Sequence, residues 1–229
     1  MKGRPQSGTR GPWSSREVDT LFRRFARTHP KPTTELHYAS PFELLVAVLL
    51  SAQTTDQAVN RVTASLFPVA SDPAALIALG PDSLAGHLHG LGLFRTKTRH
   101  LLATSKLLLE RFGGEVPQTR AELMQLPGIG RKCANVILNN LFDSETIAVD
   151  THVFRVANRT GLAPGKTPRA VEALLEKRVP ERYRTRAHHW LVLHGRYVCQ
   201  ARKPRCPDCR IRDLCRFKTK TPPTRSSRR

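Results

Sequence analysis

The sequence predicts an all-α protein, because apolar residues recur with the spacing of helices along most of the chain. Val18, Leu21, Phe22 and Phe25 show the pattern, at positions i, i+3, i+4 and i+7 of one helical face. The connections between such segments are short, and many begin with residues that cap helices. The one strand-like run, residues 147–149, is too short to specify a sheet. We therefore expect helices packed against helices.

Helix caps and helix breakers place the individual elements. Ser40 and Pro41 form a helix start, and the run over residues 42–50 is apolar all round, which predicts a central buried helix. A longer helix through residues 101–112 ends at two glycines, Gly113 and Gly114. Further helices are expected over residues 55–66, from 72, from 119 to 126, over 131–142, from 150, over 167–178 and over 187–198.

The charge of the chain indicates a polyanionic partner. Lys and Arg total 38 against 18 for Asp and Glu, which gives a formal net charge of +20. Such a surplus favours binding to a polyanion, because each neutralised phosphate releases condensed counterions. DNA, RNA and an acidic membrane surface all satisfy this criterion, and part of the surplus lies in the basic ends, residues 1–16 and 216–229.

Length and hydropathy restrict the class of protein further. The 229 residues suffice for one large domain or two lobes with cores of their own. No run reaches about 18 unbroken apolar residues, so no membrane span is expected. Residues 1–16 are basic and lack the apolar core of a secretory signal. We therefore expect a protein that stays in the cytoplasm, where it is made. We also expect a monomer, since no apolar helix is left without a predicted partner.

A glycine-rich turn between two predicted helices is a candidate phosphate site. It reads Leu-Pro-Gly-Ile-Gly-Arg-Lys over residues 126–132. Gly128 and Gly130 allow backbone angles closed to other residues, and Ile129 can pack between the helices. The amides at the start of the second helix then face an anion, assisted by the helix dipole. This pattern is typical of helix-hairpin-helix DNA-binding proteins, although an ordinary tight turn can have the same sequence.

Lys132 and Asp150 are candidate catalytic residues. Lys132 falls in the first turn of the second helix, where it can hold a phosphate or act as a nucleophilic amine that forms a Schiff base. Asp150 precedes another helix, which it is expected to cap. A capped carboxylate is held in place, so it can also stabilise a developing cation or assist proton transfer.

Four of the five cysteines lie within seventeen residues near the C-terminus, at Cys199, Cys206, Cys209 and Cys215. Metal ligation is favoured over disulfides, since no secretory signal is seen. Four thiolates at this spacing can hold one [4Fe–4S] cluster or one zinc ion, and the chemistry alone barely separates the two. The cations of the loop over residues 200–205 would be held outward, which suits contact with phosphate. Cys133 stands apart and has no expected role.

Four segments, taken together and in this order, resemble the endonuclease III family of DNA glycosylases. They are residues 50–56, 126–132, 149–156 and the four-cysteine run. The resemblance covers residues 16–217, nearly all of the chain outside its ends. It implies two helical lobes with DNA bound across the cleft between them.

The resemblance also implies domain boundaries and a cofactor. A six-helix barrel is expected at residues 33–144, with its helix-hairpin-helix at 123–141. An iron–sulfur lobe holding a [4Fe–4S] cluster on the four cysteines is expected from residues 16–32 together with 145–217. Disordered basic tails are expected at residues 1–15 and 218–229.

By the same resemblance, the protein removes oxidised pyrimidines from double-stranded DNA by base excision repair. Lys132 attacks the sugar C1′ of a flipped-out base with Asp150 assisting, and β-elimination then nicks the strand, also at abasic sites. Gln53 and Leu93 fill the space that the base vacates, although without the resemblance they would be interpreted as a helix-start residue and a core residue. The residues expected to contact DNA are Gln53, Leu93, Gly128, Gly130, Arg131, His152, Arg202, Lys203 and Arg205.

Two departures from the family and several alternatives bear on this interpretation. Cys133 stands where relatives are expected to have Thr, and residues 94–96 lack an expected Tyr, which leaves the lesion preference open. Adenine-mismatch and thymine-mismatch glycosylases would lack Lys132, and lysine-type 8-oxoguanine glycosylases would lack the cysteines. A non-catalytic or differently specific helix-hairpin-helix protein remains an alternative. RNA binding is disfavoured, since aromatic residues make up only 6% of the chain.

Overall fold

The computed structural model describes residues 11–222, and this part of the chain contains helices, turns and irregular segments but no β-strand. Eleven α-helices and one short 3₁₀ helix occur within it. The prediction of an all-α fold is confirmed. Among these residues, no helix has the length and apolar character needed to cross a membrane.

The helices follow one another with short connections. In chain order they are α1 Ser15–Thr28, α2 Pro41–Leu50, α3 Asp56–Leu66, α4 Pro73–Leu79, α5 Pro81–Leu88, α6 Phe94–Phe112, α7 Arg120–Leu123, α8 Arg131–Leu141, α9 Thr151–Thr160, α10 Pro168–Arg178, α11 Glu181–Tyr197 and the 3₁₀ helix Cys206–Asp208. Helix α5 was not predicted from the sequence, and α6 and α11 begin earlier than their predicted starts at residues 101 and 187.

Side-chain caps explain where most of these helices begin. Ser40 Oγ accepts the Glu43 N–H at 3.2 Å at the start of α2. Thr119 Oγ1 accepts the Glu122 N–H at 3.2 Å at the start of α7. Replacing such a cap by alanine typically costs about 1 kcal/mol. Local sequence therefore specifies these helix starts independently of tertiary packing.

One compact unit comprises Thr33–Ala148. Helix α2 forms its centre, and every residue from Phe42 to Leu50 is buried. It packs against α3, α6 and α8. The one acid in this buried stretch, Glu43, accepts the Ala39 N–H through Oε2 at 2.5 Å, so the carboxylate that enters the core is hydrogen-bonded.

Buried asparagines in α8 fix the segment that follows it. Asn139 Nδ2 donates to the Ser144 carbonyl at 2.9 Å and to the Thr146 carbonyl at 3.3 Å. Thr146 Oγ1 donates in turn to the Asn135 carbonyl at 3.0 Å. Arg120 Nε donates to Asn135 Oδ1 at 2.7 Å, which joins α7 to α8. Hydrogen bonds as well as packing therefore hold the hairpin helices together.

The second compact unit comprises, within the described part of the chain, residues 11–32 and 149–222. Its core is aromatic: the Phe22 ring stacks on Tyr183 with centroids 5.5 Å apart and lies 6.1 Å from Trp190. Trp190 Nε1 donates to the His29 carbonyl at 2.9 Å. Helix α1 therefore shares a core with α11, although most of the sequence separates them.

The described N-terminal residues are anchored rather than loose. Trp13 is buried, and its Nε1 donates to the Thr160 carbonyl at 3.2 Å. The Arg216 guanidinium lies 4.4 Å from the Trp13 ring centroid. Ser14 caps α1. The predicted tail boundary at residue 15 is therefore wrong, because a buried tryptophan precedes it. Residues 1–10 lie outside the described part of the chain.

The described C-terminal residues are also tied to the fold. Lys220 Nζ donates to the Cys215 carbonyl at 2.8 Å. The Cys206 N–H donates to Thr221 Oγ1 at 3.3 Å. The predicted tail starting at residue 218 therefore begins too early, since these side chains hold it against the cysteine loop. Residues 223–229 lie outside the described part of the chain.

Candidate active site and nucleic-acid interface

The glycine-rich turn forms a hairpin between α7 and α8. Gly128 has φ +84°, in the left-handed region. Ile129 is buried, and its N–H donates to the Leu126 carbonyl at 3.0 Å. Gly130 is the N-cap of α8 and offers no side-chain acceptor to the first-turn amides. The first turn of α8 therefore has no side-chain cap, and a helix N-terminus of this kind is suited to an anion.

Helix α6 supports this hairpin from behind. A Cβ added at Gly128 would lie 2.7 Å from His100 Nδ1, too close for any residue but glycine. Thr104 Oγ1 donates to the Pro127 carbonyl at 3.1 Å. At Gly130, by contrast, an added Cβ would meet no heavy atom within 4 Å. Gly128 is thus required both by its backbone angle and by the space available.

The side chains that follow the hairpin divide between surface and core. Arg131 and Lys132 are the first two residues of α8, and Lys132 is exposed. Cys133 is half-buried, and Ala134 is fully buried. Lys132 therefore presents its amine at the helix end that has no side-chain cap, where it can meet a phosphate or a sugar.

Gln53 and Leu93 share an unusual backbone conformation. Gln53 has φ +54° in the turn between α2 and α3, and Leu93 has φ +59° immediately before α6. Left-handed backbone costs a non-glycine residue about 1 kcal/mol or more. Both side chains are exposed, Leu93 to 59%. The alternative interpretation of Leu93 as a core residue is therefore wrong.

Lys97 contacts the residue after Gln53 and the backbone of Leu93. It was not predicted as a site residue from the sequence. It is only 4% exposed, and its Nζ donates to Thr54 Oγ1 at 2.5 Å. Its burial lowers the pKa of the amine below the ordinary lysine value. No local pattern marks this lysine, because on its helix it resembles the neighbouring surface cations.

Asp150 and His152 lie at the start of α9, in the other unit. Asp150 is the N-cap, and its Oδ1 accepts the Val153 N–H at 2.7 Å, which confirms the expected capping role. His152 is half-buried, with Nδ1 3.1 Å from Arg155 Nη2. A Cβ added at Gly195 would lie 2.8 Å from His152 Cβ, so glycine is needed where α11 passes. Both side chains therefore have fixed positions.

Two arginines one turn apart connect α9 to the cysteine loop. Arg155 Nε donates to the Cys199 carbonyl at 2.9 Å. Arg159 Nη1 donates to the Gln200 carbonyl at 2.7 Å, and its Nη2 donates to the Ala201 carbonyl at 3.0 Å. Neither arginine was predicted as a site residue, although their four-residue spacing on one helix was a usable signal. They hold the helix that begins at Asp150 to the loop that begins at Cys199.

All four clustered cysteines line one cavity, which Arg159, His194 and Phe217 also border. Within residues 11–222, no three His, Cys, Asp or Glu side chains converge on one point as ligands of a single ion would. The thiols instead surround the cavity. The remaining cysteine, Cys133, lies in the other unit.

The electrostatics of this cavity suit a cationic occupant. Burial, with the charges of the other three thiols, raises the pKa of Cys209 to about 11, and burial raises that of Cys215. Four thiolates therefore need positive charge among them to coexist. The Phe217 N–H donates to Cys215 Sγ at 3.5 Å, and Arg159 Nη1 lies 3.6 Å from Cys199 Sγ. These donors stabilise sulfur in its anionic form.

The loop between the first two cysteines carries three exposed cations, Arg202, Lys203 and Arg205. Arg205 forms an ion pair with Asp208, with Nη2 and Oδ2 3.0 Å apart. Its charge is therefore partly compensated. The loop is held at its base by the Arg205 N–H, which donates to the Val198 carbonyl at 2.8 Å.

Comparison with known proteins defines the class to which this fold and these sites belong. Residues 46–181 match the family model described as HhH-GPD superfamily base excision DNA repair protein. Endonuclease III of Escherichia coli strain K12 is 54% identical over 200 residues, covering 87% of this chain and 95% of the relative. Endonuclease III of Haemophilus influenzae is 52% identical with the same coverage. The chain therefore belongs to the endonuclease III family of the HhH-GPD superfamily.

Solved structures agree with this assignment. A trapped endonuclease III–DNA covalent intermediate matches with a TM-score of 0.84 and 40% identity, covering 89% of this chain and 96% of that one. A non-covalent endonuclease III–DNA complex matches equally well. A thermostable thymine-DNA glycosylase, at 20% identity and a TM-score of 0.78, shares the fold.

Proposed function

We propose that this protein is a bifunctional DNA glycosylase and abasic-site lyase that removes oxidised pyrimidines from double-stranded DNA. The observation that carries the proposal is the exposed Lys132 at the second position of α8, directly after the open glycine hairpin. A hairpin without such an amine serves to bind DNA. Family membership supports the same conclusion, since a relative forms a trapped covalent intermediate with DNA.

The proposed reaction uses Lys132 as nucleophile and Asp150 as its assistant. The free amine of Lys132 attacks the sugar C1′, and the bond from C1′ to the base breaks with the electron pair leaving on the base. The carboxylate of Asp150 stabilises the positive charge that develops on the sugar. The nitrogen then loses a proton and the C1′–O4′ bond of the sugar ring breaks, with O4′ taking up a proton, which gives the Schiff base. The Schiff base loses a proton from C2′, and the electron pair released expels the 3′ phosphate. Hydrolysis then frees the lysine.

The hairpin and the strained turns would bind and distort the duplex. The amides from Gly128 to Lys132, assisted by Arg131, would receive a backbone phosphate without reading sequence. Gln53 and Leu93 would enter the stack when the damaged base leaves it. Extrusion of a base costs a few kcal/mol, and least for a damaged base that stacks poorly. His152 would line the site beside Asp150.

The four cysteines would hold a [4Fe–4S] cluster. A [4Fe–4S] cluster is ligated by four cysteine thiolates, and four thiols that line one cavity would fit it. When bound, the cluster supplies a rigid cationic centre that closes the loop over residues 199–215. Arg202 and Lys203, and to a smaller extent Arg205, would then contact phosphate. We infer that the protein acts as a monomer on the nucleoid in the cytoplasm, which its net charge of +20 favours.

Strand cleavage of a duplex with one thymine glycol tests this proposal. Wild type is expected to release the base and nick the strand, leaving a 3′ unsaturated aldehyde. Lys132→Ala should lose both activities by a factor of about 100 or more, as expected for a missing nucleophile. Lys106→Ala is the matched control, because Lys106 is an exposed lysine on α6. Full nicking of an abasic-site duplex by Lys132→Ala would refute the assignment and leave a protein that only binds DNA.

A further inference from the structure

Lys97 is a buried cation in the unit that carries the hairpin. It lies in the first turns of α6, is 4% exposed, and donates from Nζ to Thr54 Oγ1 at 2.5 Å. Burying an ammonium group is unfavourable, because the charge loses its hydration. A methionine of similar length would fill the same space without that cost. Burial also lowers the pKa of this amine. Its presence calls for a functional explanation.

The contacts of Lys97 reach two strained turns at once. Its side chain holds Thr54, which follows Gln53 and whose Oγ1 lies 3.2 Å from the Ala52 carbonyl. Its backbone N–H donates to the Leu93 carbonyl at 3.0 Å, which is the first intrahelical bond of α6 and places Lys97 one turn after Leu93. Gln53 and Leu93 are two of the three non-glycine residues with positive φ within residues 11–222. The Lys97 side chain thus ties the turn after α2 to the first turn of α6, the helix that begins directly after Leu93.

Strained backbone persists only where the surrounding structure determines it. The Nζ–Oγ1 bond holds the turn over residues 51–55 against the first turn of α6, so its loss would release that turn. Gln53 could then return to an ordinary backbone angle, which would redirect its side chain. Leu93 is 59% exposed, so burial of its side chain does not stabilise its left-handed backbone conformation. The left-handed backbone angles at Gln53 and Leu93 therefore set the directions in which these two side chains point.

We propose that Lys97 is a positioning residue that holds Gln53 and Leu93 in register, so that both enter the DNA stack together when the damaged base leaves it. This inference rests on the proposed function. A direct phosphate contact is an unsuitable role for Lys97, because the residue is buried. Its loss should impair base extrusion and spare the chemistry on a sugar that needs no extrusion.

Substitution of Lys97 by methionine tests the proposal, with Thr54→Val removing the other partner. The matched control is Lys106→Met, an exposed lysine farther along α6. Two rates are compared under single turnover: excision of paired thymine glycol from a duplex, and cleavage of a preformed abasic site in a single strand. The fluorescence of 2-aminopurine opposite the lesion reports local unstacking on binding, independently of the chemistry.

Lys97→Met is expected to lower duplex excision and the 2-aminopurine signal by about tenfold, the effect of a lost hydrogen bond to a charged group. Single-strand cleavage should change less than about threefold, and the melting temperature should stay the same or rise. Thr54→Val should show the same selective loss, and the double variant should be no worse than either single one. Lys106→Met should match wild type.

Several outcomes would overturn the proposal. Equal loss on both substrates would make Lys97 a general structural residue, and so would wild-type unstacking by Thr54→Val. If Lys97→Met fails to fold, Thr54→Val decides the question by the same measurements. If wild type unstacks the duplex but cleaves neither substrate, the proposed function fails, while the fluorescence still decides the role of Lys97.

Discussion

Replacing Gly128 with alanine should destabilise the hairpin far more than replacing Gly130, although the two glycines are two residues apart. Gly128 has φ +84°, and an added Cβ would lie 2.7 Å from His100 Nδ1. Gly130 has φ −90°, and an added Cβ there would meet nothing within 4 Å. The same chemical change therefore meets two different environments in one turn.

The expected costs can be worked out from these contacts. Left-handed backbone costs alanine about 1 kcal/mol, and overpacking against His100 adds about 1–3 kcal/mol. Gly128→Ala should therefore lose about 2–4 kcal/mol, which lowers the melting temperature of a chain of this size by about 5–15 °C. At Gly130, the loss of a favourable N-cap, about 1 kcal/mol, is offset by reduced entropy of the unfolded chain. The net change there should be within about 1 kcal/mol.

The assay combines thermal unfolding with binding to a duplex that carries a non-cleavable abasic analogue. Gly128→Ala should weaken binding by about tenfold or more, since amides aimed at a phosphate are displaced. His100→Ala should restore part of the stability of Gly128→Ala, because it removes the overlap but not the backbone strain. Equal melting temperatures for the two glycine variants, or no rescue by His100→Ala, would refute the reasoning.

Three further predictions concern the other unit. Asp150→Asn keeps a side chain that can cap α9, so the melting temperature of this variant should stay within about 2 °C of wild type. Its lyase activity should fall about a hundredfold, because the carboxylate charge is lost. Lyase activity equal to wild type would exclude the carboxylate from the mechanism. Burial and the charge of His188 lower the pKa of His189 to about 3. Between about pH 6.5 and pH 3, His189 is therefore protonated in the unfolded chain but neutral in the folded chain. The stability that neutral His189 contributes above pH 6.5 is thus lost progressively down to about pH 3, and His189→Leu should flatten the urea-midpoint profile there; an unchanged slope would contradict this. Cys209→Ser should lose the visible absorbance of the cluster and unfold at lower temperature, whereas retained absorbance would exclude Cys209 as a ligand.

Most of the fold could be predicted because its signals are local. Caps and apolar periodicity lie within a few residues of each other, so Ser40 and Thr119 mark helix starts correctly. Helix α5 was missed because it begins directly after Gly80, which also ends α4. The N-terminal tail was placed too far along because the burial of Trp13 depends on Thr160 and Arg216, far away in sequence.

The residues of the candidate site also fall into those marked by local sequence and those that depend on distant contacts. The glycine hairpin and the capping role of Asp150 follow from adjacent residues, so the sequence was sufficient to find them. Lys97 meets Thr54 across 43 residues of chain, and Arg155 meets Cys199 across 44. The spacing of Arg155 and Arg159 marks a basic face of α9, but the partners of Lys97 and Arg155 depend on how the helices pack and leave no local pattern. The exposure of Leu93 likewise could not be predicted from hydropathy, because it accompanies a left-handed backbone angle that an apolar residue does not signal.

Borohydride trapping followed by peptide mapping tests the central claim most directly. The protein is incubated with an abasic-site duplex and reducing agent, then digested, and the DNA-bearing peptide is sequenced by mass spectrometry. The proposed mechanism predicts one adduct, a secondary amine joining the sugar to Lys132. An adduct on another lysine, or none from a protein that still binds the duplex, would contradict the Schiff-base mechanism proposed for this chain.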